Sequence, residues 1–409
     1  MTVQDIAPRA QSANITHRAH SAALKHITDQ VKSAAASQST LRIRGGGSKD
    51  FYRPSGVRLV EGDADDLLDT TPLQGIVNYE PSELVVTVRA GTPLAELEAA
   101  LAEKGQCLPF EPPHFGDRTA TVGGMVAAGL AGPARASVGG VRDYVLGLEL
   151  LNGRAELLRF GGTVMKNVAG YDVSRLMVGA MGTLGLITEV SLKVLPVLPA
   201  EATLVFQVDQ ATALQQLNLW GGQPLPLNAS RWQALDAALP AGAGLLHLRL
   251  RGAKAAVLAA IQTMTGQFAG QVLDNMQAAS EWQQCRDLKL PFFTADASAS
   301  GKEFEWWRVS VAPSAPPLVL PWPQLIEWHG GLRWIKMVSN NAEPKDSIGD
   351  SLSNNALLFI TNSSINTRPN IQKISTNNVK NINYKIAQRL KSEFDPQGVF
   401  NRQRLYAGF

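Results

Sequence analysis

Apolar side chains first recur at helical spacing. Leu24, Ile27, Val31 and Ala34 fall three or four residues apart within an otherwise polar stretch, which predicts an amphipathic helix over residues 16–36. Leu41–Arg44 then reads as a strand and runs directly into Gly45-Gly46-Gly47-Ser48. Residues 76–79 and 84–89 predict two more strands. The second opens through Gly91-Thr92-Pro93 into a helix, with Thr92 as N-cap and Pro93 as first helical residue. Residues 123–131 are small and apolar, 144–151 and 155–160 read as the arms of a hairpin around Asn152-Gly153, and 184–195 reads as a further strand.

Near Pro196-Val197-Leu198-Pro199 the texture changes, and proline punctuation of this kind marks a linker. All eight tryptophans lie beyond it, at 220, 232, 282, 306, 307, 322, 328 and 334, so the second part is expected to have an aromatic core of its own. Residues 338–384 are rich in Asn, Ser, Ile and Lys and read as loosely structured or diverged. The expected organisation is a polar leader (1–16), a glycine-rich part (17–199), a Trp-rich part (200–337), the Asn/Ser-rich segment (338–384) and a tail (385–409).

Composition narrows the chemistry. A chain of 409 residues has room for two or three domains at roughly 100–200 residues each. With 45% hydrophobic and 18% charged residues it is an ordinary globular sequence, and a net charge of +3 gives no basic footprint for nucleic acid. Two cysteines, Cys107 and Cys285, supply neither a disulfide framework nor the four thiolates that an iron–sulfur cluster commonly takes, so any such centre is expected on another chain. No secretory signal is visible, and the most apolar uncharged stretch is broken by Pro313, Pro316, Pro317, Pro321 and Pro323. A cytoplasmic protein is the expectation.

Two glycine-rich segments carry candidate chemistry. In Arg44-Gly45-Gly46-Gly47-Ser48-Lys49, successive backbone N–H groups without Cβ atoms suit the approach of an anion, Ser48 adds a donor, and Arg44 or Lys49 adds charge. A plain turn joining two strands is the alternative reading. Neither a G-x-G-x-x-G fingerprint nor a G-x-x-x-x-G-K-[ST] loop occurs. The second segment, Phe110-Glu111-Pro112-Pro113-His114-Phe115-Gly116 continuing through Thr121-Val122-Gly123-Gly124-Met125-Val126-Ala127, has side chains so small that either a flat ligand or another backbone must lie against it.

Together with Gly161-Gly162-Thr163, residues 164–176, and Gly182-Thr183-Leu184-Gly185-Leu186-Ile187, these segments resemble the FAD-binding fold of the vanillyl-alcohol oxidase (PCMH-type) family. More narrowly, residues 41–196 resemble the FAD-binding E subunits of glycolate oxidases, as does Phe394-Asp395-Pro396-Gln397-Gly398-Val399-Phe400-Asn401. After Asn401 the chain departs from the family's proline-glycine-arginine ending with Arg402-Gln403-Arg404.

The resemblance implies an α+β chain: a PCMH-type FAD-binding domain of two α+β subdomains (17–199), then a smaller α+β cap domain. It places the FAD pyrophosphate at Gly45, Gly46, Gly47 and Ser48, the length of the cofactor along Thr121, Gly123, Gly124 and Ala127, and the adenine end at Ile187. Lys166 and Asp172 sit in the most family-like stretch, where a salt-bridged turn is the plain reading. With no histidine in residues 41–52, FAD is expected to be non-covalent, Cys107 and His114 being the nearest exceptions.

Relatives that oxidise 2-hydroxy acids carry an H-x-G-D-G-N-x-H element. Here only His114-Phe115-Gly116-Asp117 matches, in the wrong part of the chain, and no metal site is expected. His247 and His329 read as structural. No catalytic residue is assigned. The implied function is the FAD-bearing subunit of a complex that oxidises glycolate to glyoxylate, with a homologous flavoprotein subunit and an iron–sulfur subunit as partners and peripheral placement at the inner face of the membrane through them. A self-sufficient flavin dehydrogenase for another small hydroxy acid and a non-catalytic assembly subunit are the alternatives.

Overall fold

The computed structural model describes residues 7–51, 66–116, 118–163, 172–235, 242–294, 304–318, 320–338, 356–361 and 382–405. Lys166, Asp117 and most of the Asn/Ser-rich segment lie outside them.

The first helix, Ala7–Ser37, extends the predicted one toward the N-terminus. Its Ile27, Val31 and Ala34 are buried against Leu41, Leu68, Leu151, Leu186, Val399 and Phe400, so one stripe of a largely polar helix packs on segments of the first half and of the tail. Strand Leu41–Arg44 pairs in parallel with Asp66–Asp69. A five-stranded antiparallel sheet follows in the spatial order Ile76–Glu80, Val85–Arg89, Leu186–Lys193, Val145–Leu151, Leu157–Gly161. The last two are the predicted hairpin.

Helices Leu94–Ala102 and Val122–Ala128 pack on this sheet through Leu94, Leu97, Leu101, Val122, Met125 and Val126. The first begins one residue later than predicted, with Pro93 rather than Thr92 at the N-cap. The Thr92 hydroxyl is otherwise engaged: its Oγ1 accepts from the Gly75 N–H at 2.9 Å and holds the preceding loop instead of the helix end.

An eight-stranded antiparallel sheet takes up the rest, in the order Gly270–Leu273, Ala200–Asp209, Ala243–Gly252, Leu227–Ala234, Gln324–Glu327, Leu332–Val338, Phe304–Ser310, Ala356–Thr361. The tryptophans divide among three clusters: the two that hold Trp220 and Trp232, and Trp307 and Trp322, consist of second-part residues alone, as expected, and the third is shared with the first half. Trp220 and Trp232 pack under the helices on one face, whereas Trp282, Trp306, Trp328 and Trp334 share a cluster with Phe115, Ala128, Leu130 and Met181 of the first half. Glu111 pins the same junction. Its carboxylate accepts from Arg249 Nη2 at 2.7 and 2.8 Å and from Arg251 Nη1 at 3.2 Å.

Candidate flavin site

Between strand Leu41–Arg44 and helix Val122–Ala128 lies a groove with two lobes. The outer lobe, about 500 Å³ of empty space, is lined by Gly45, Gly46, Gly47, Ser48, Thr121 and Ala127 among others. The inner lobe, about 540 Å³, is lined by Gly123, Gly182, Gly185 and Ile187 and closed by the apolar Met177, Ala180 and Leu184. Ile43, Gly45, Gly124, Ala127, Met181 and Asn401 border both, so the lobes are continuous. All nine residues proposed from the sequence therefore face one groove.

The structure adds a steric reason for the glycines. At Gly46 a Cβ would stand 1.6 Å from the Thr119 carbonyl oxygen, and at Gly45 2.4 Å from Thr121 Oγ1. The loop lacks side chains there first because it lies against the 119–121 backbone. At Gly47 the requirement is conformational, φ being +70°, and the turn closes with the Asp50 N–H on the Gly47 carbonyl at 3.1 Å. Thr121 caps the short helix, its Oγ1 accepting from the Gly124 N–H at 3.2 Å.

Three cations line the outer lobe, Arg44, Lys49 and Arg404, and their partners differ. Arg44 is committed to Asp50, Nε to Oδ2 at 2.8 Å. Lys49 is buried at 9% exposure, lines the outer lobe, lies 5.8 Å from the centre of the Phe115 ring, and reaches only Ser48 Oγ at 3.5 Å among the described residues. Burial lowers its pKa to about 8. An ammonium held dry without a carboxylate partner among the described residues has its desolvation left uncompensated, which suits the approach of an anion.

Asn401 is the contributor that sequence reasoning left without a role. Its Oδ1 accepts from the Ile43 N–H at 2.8 Å and its Nδ2 donates to the Met181 carbonyl at 2.7 Å, so it bridges the two walls of the groove. Asp395 holds the turn before it by accepting from the Val399 and Phe400 N–H groups, both at 2.8 Å. Lys391 Nζ joins Asp395 Oδ2, the Thr183 carbonyl and the Phe400 carbonyl. The family-like Phe394-to-Asn401 motif was the available signal. The residues present fit a long dianionic cofactor: a wall of Gly and Ala, an apolar inner end, loop N–H groups, and one buried cation with no ion-pair partner among the described residues.

The other candidates named from the sequence fall elsewhere. His114 is buried, its Nε2 2.8 Å from Glu98 Oε2, and neither it nor Cys107 lines the groove. Burial lowers the pKa of His247 and of His329 to about 4 each. Asp172 forms a local turn, capping residues 173–176 and pairing with Arg175 at 3.2 Å. No group of three or more metal-ligating side chains occurs among the described residues, and no helix among them is long and apolar enough to cross a membrane.

Comparison with known proteins agrees with this geometry. Residues 21–161 match the family model described as an FAD binding domain. The chain is 41% identical over 382 residues to glycolate oxidase subunit GlcE of Escherichia coli (strain K12), covering 93% of this chain and 97% of that one. Glycolate oxidase subunit GlcD of Bacillus subtilis (strain 168) is 33% identical over 141 residues, 34% of this chain and 30% of its own. Among solved structures, an alkyldihydroxyacetonephosphate synthase superposes with a TM-score of 0.63 at 16% identity, over 92% of this chain and 74% of that one, a likeness of fold.

Proposed function

The chain belongs to the glycolate oxidase subunit GlcE family of FAD-dependent oxidoreductases, and from that premise we propose that it is the flavin-bearing relay subunit of a complex that oxidises glycolate to glyoxylate. Supporting this reading above all is the convergence of Gly45, Gly46, Gly47, Ser48, Thr121, Gly123, Gly124, Ala127 and Ile187 on one groove that also holds the buried ammonium of Lys49. Bound FAD supplies an acceptor that takes two electrons at once and releases them singly.

The protein's part is placement. Lys49 and the loop N–H groups neutralise the pyrophosphate, Thr121 and Asn401 hold the groove walls at fixed separation, and Ile43, Met181, Leu184 and Ile187 keep water from the inner lobe. Attachment is non-covalent. Electrons leave for an iron–sulfur centre on a partner subunit, because the chain has two thiols, and that of Cys285 is buried and donated to Glu327. A homologous flavoprotein subunit takes the hydride from glycolate, and the assembly sits at the inner face of the membrane through its partners.

The test is purification of the chain alone and with co-expressed partner subunits, followed by stopped-flow recording of flavin bleaching with glycolate. Slow or absent bleaching alone and fast bleaching in the complex support the relay. A rate for the isolated chain equal to that of the complex overturns it in favour of a self-sufficient enzyme.

A further inference from the structure

Between Lys254 and Asp274 lie nineteen residues without a charged side chain, in a chain of which 18% is charged. They build most of helix Lys254–Gln267 and all of strand Gly270–Leu273. The helix buries Val257, Ala260 and Met264 in the cluster that holds Trp220. Its outer side presents Ala255, Ala256, Leu258 and Ala259 beside Gln262 and Thr263, where a helix that faces water normally carries charge. Leu258 is 53% exposed. The strand ends the eight-stranded sheet: it pairs with residues 203–206 on one side, and no described strand takes the other. Alternate N–H and C=O groups of such an edge point outward, and an open edge is normally guarded by a charge or a proline. Gly270-Gln271-Val272-Leu273 has neither, and Val272 is 52% exposed. Met276, in the first turn of helix Asn275–Arg286, extends the patch at 84% exposure.

We propose that this edge is the contact between two copies of the chain, strand Gly270–Leu273 pairing antiparallel with the same strand of a second copy across a two-fold axis. A row of free backbone groups is matched by another extended strand, and a strand paired with its own image makes the isologous contact on which most homodimers are built. Self-pairing also brings each patch against itself, so a net charge on it would repel its image. The uncharged run over residues 255–273 is what a self-complementary face requires. Its extent suits the purpose, because a standard interface takes about 20–30 residues from each partner, and the exposed positions fall within the span 253–277. With the axis perpendicular to the sheet, the two helices Lys254–Gln267 come side by side on one face, where their alanines permit close approach, and the sheet continues from one copy into the other. An electron-accepting partner needs access to the flavin, and no residue of 253–277 lines its groove. That last step in choosing the occupant rests on the flavin reading; the edge itself does not.

The test is the mass of the full chain, purified with FAD, by sedimentation equilibrium across micromolar concentrations, with flavin content read from visible absorbance in the same samples. The expected species has twice the 43.9 kDa of one chain. Its dissociation constant should rise at least tenfold in Val272→Lys and in Leu258→Glu, each of which sets like charges against one another across the axis, while flavin content and near-UV circular dichroism stay at wild-type values. Amide exchange over 270–273 should slow as the dimer forms. Leu258→Glu, on the helix surface, carries the test if Val272→Lys does not fold. A monomer at every concentration, a dimer indifferent to both substitutions in folded protein, or protection of 270–273 only when partner subunits are co-expressed overturns the proposal. A dimer that responds to the substitutions but retains no flavin supports this contact and counts against the flavin reading alone.

Discussion

Replacing Lys49 by Met should move stability and flavin affinity in opposite directions. In the flavin-free chain the ammonium is buried without an ion-pair partner among the described residues, and its pKa falls from 10.5 to about 8. At about 1.4 kcal/mol per pH unit, that displacement corresponds to a burden of roughly 3 kcal/mol on the folded apo state. Met has similar length and no charge, so apo Lys49→Met is expected to be more stable at pH 7 by up to that amount. Between pH 8 and 10.5 the folded apo chain binds fewer protons at this position than the unfolded chain, so wild-type apo stability rises with pH there and the advantage of Met fades.

With FAD the sign reverses. A charge-assisted bond to a phosphate oxygen contributes about 1.5–3 kcal/mol, so its loss should weaken FAD binding roughly ten- to a hundredfold. Because the free ammonium titrates at about 8, wild-type affinity is expected to be level below that pH and to fall above it, whereas the Met variant shows no such slope. Fluorescence titration of the apoprotein with FAD at pH 7, 8 and 9, beside urea denaturation of both apo forms, reads all of this. Unchanged FAD affinity in Lys49→Met, or an apo form less stable than wild type, would falsify the assignment of Lys49 as the pyrophosphate's counter-ion.

Gly46→Ala should drive the loop off the Thr119 carbonyl, 1.6 Å from the new Cβ, and lower flavin content at least tenfold by about the cost of a strained backbone, while Gly266→Ala, with open space around it, should leave flavin content at the wild-type level by visible absorbance. Glu111→Gln should cost about 3–5 kcal/mol in denaturation by stranding buried guanidinium groups. Burial pushes the Glu111 pKa up, but Arg249 and Arg251 outweigh that and hold it below the ordinary carboxylate range, so its contribution is present at neutral pH and is lost as pH falls through that lowered value. Acid precipitation should release the flavin into the supernatant, since neither Cys107 nor His114 lines the groove; yellow colour kept by the pellet would contradict non-covalent binding. Asn401→Ala removes one buried and one half-buried bond and should lower flavin occupancy more than overall stability, measured by absorbance against the denaturation midpoint.

What the sequence made legible was local. A glycine triplet after a short strand, an apolar stripe at Leu24, Ile27, Val31 and Ala34, and a hairpin turn at Asn152-Gly153 each depend on neighbours within a few positions, and all three are present in the fold. The exchange at Thr92 and Pro93 shows the limit of that logic, because the Thr92 hydroxyl is claimed by Gly75, seventeen positions away. Tryptophan placement was informative for Trp220, Trp232 and Trp307, whose clusters lie within the second part, and incomplete for the rest. A one-dimensional cluster of aromatics says that a core exists, but not that Phe115 and Met181 from the other half complete it.

The groove's dependence on the far end of the chain follows from its backbone. Strand Leu41–Arg44 has Asp66–Asp69 on one side; on the other, the Leu41 N–H donates to the Val399 carbonyl at 2.7 Å and the Asn401 N–H to the Leu41 carbonyl at 3.0 Å. An edge left unpaired there would be both unsatisfied and free to shift, carrying the Gly45–Gly47 loop with it. The departure from the family ending at Arg402-Gln403-Arg404 does not undo this arrangement. Arg404 donates from Nη2 to the Lys49 carbonyl at 3.0 Å and from Nη1 to the Asp50 carbonyl at 3.4 Å, and Arg402 Nε closes on the Gly398 carbonyl at 2.7 Å. The tail thus holds the backbone of the residue whose ammonium faces the groove, so the divergent ending acts on the same loop as Asn401 does. Flavin competence is therefore a property of the whole chain rather than of its first 200 residues, and a chain cut after residue 380 should lose flavin even though every residue of the loop itself is retained.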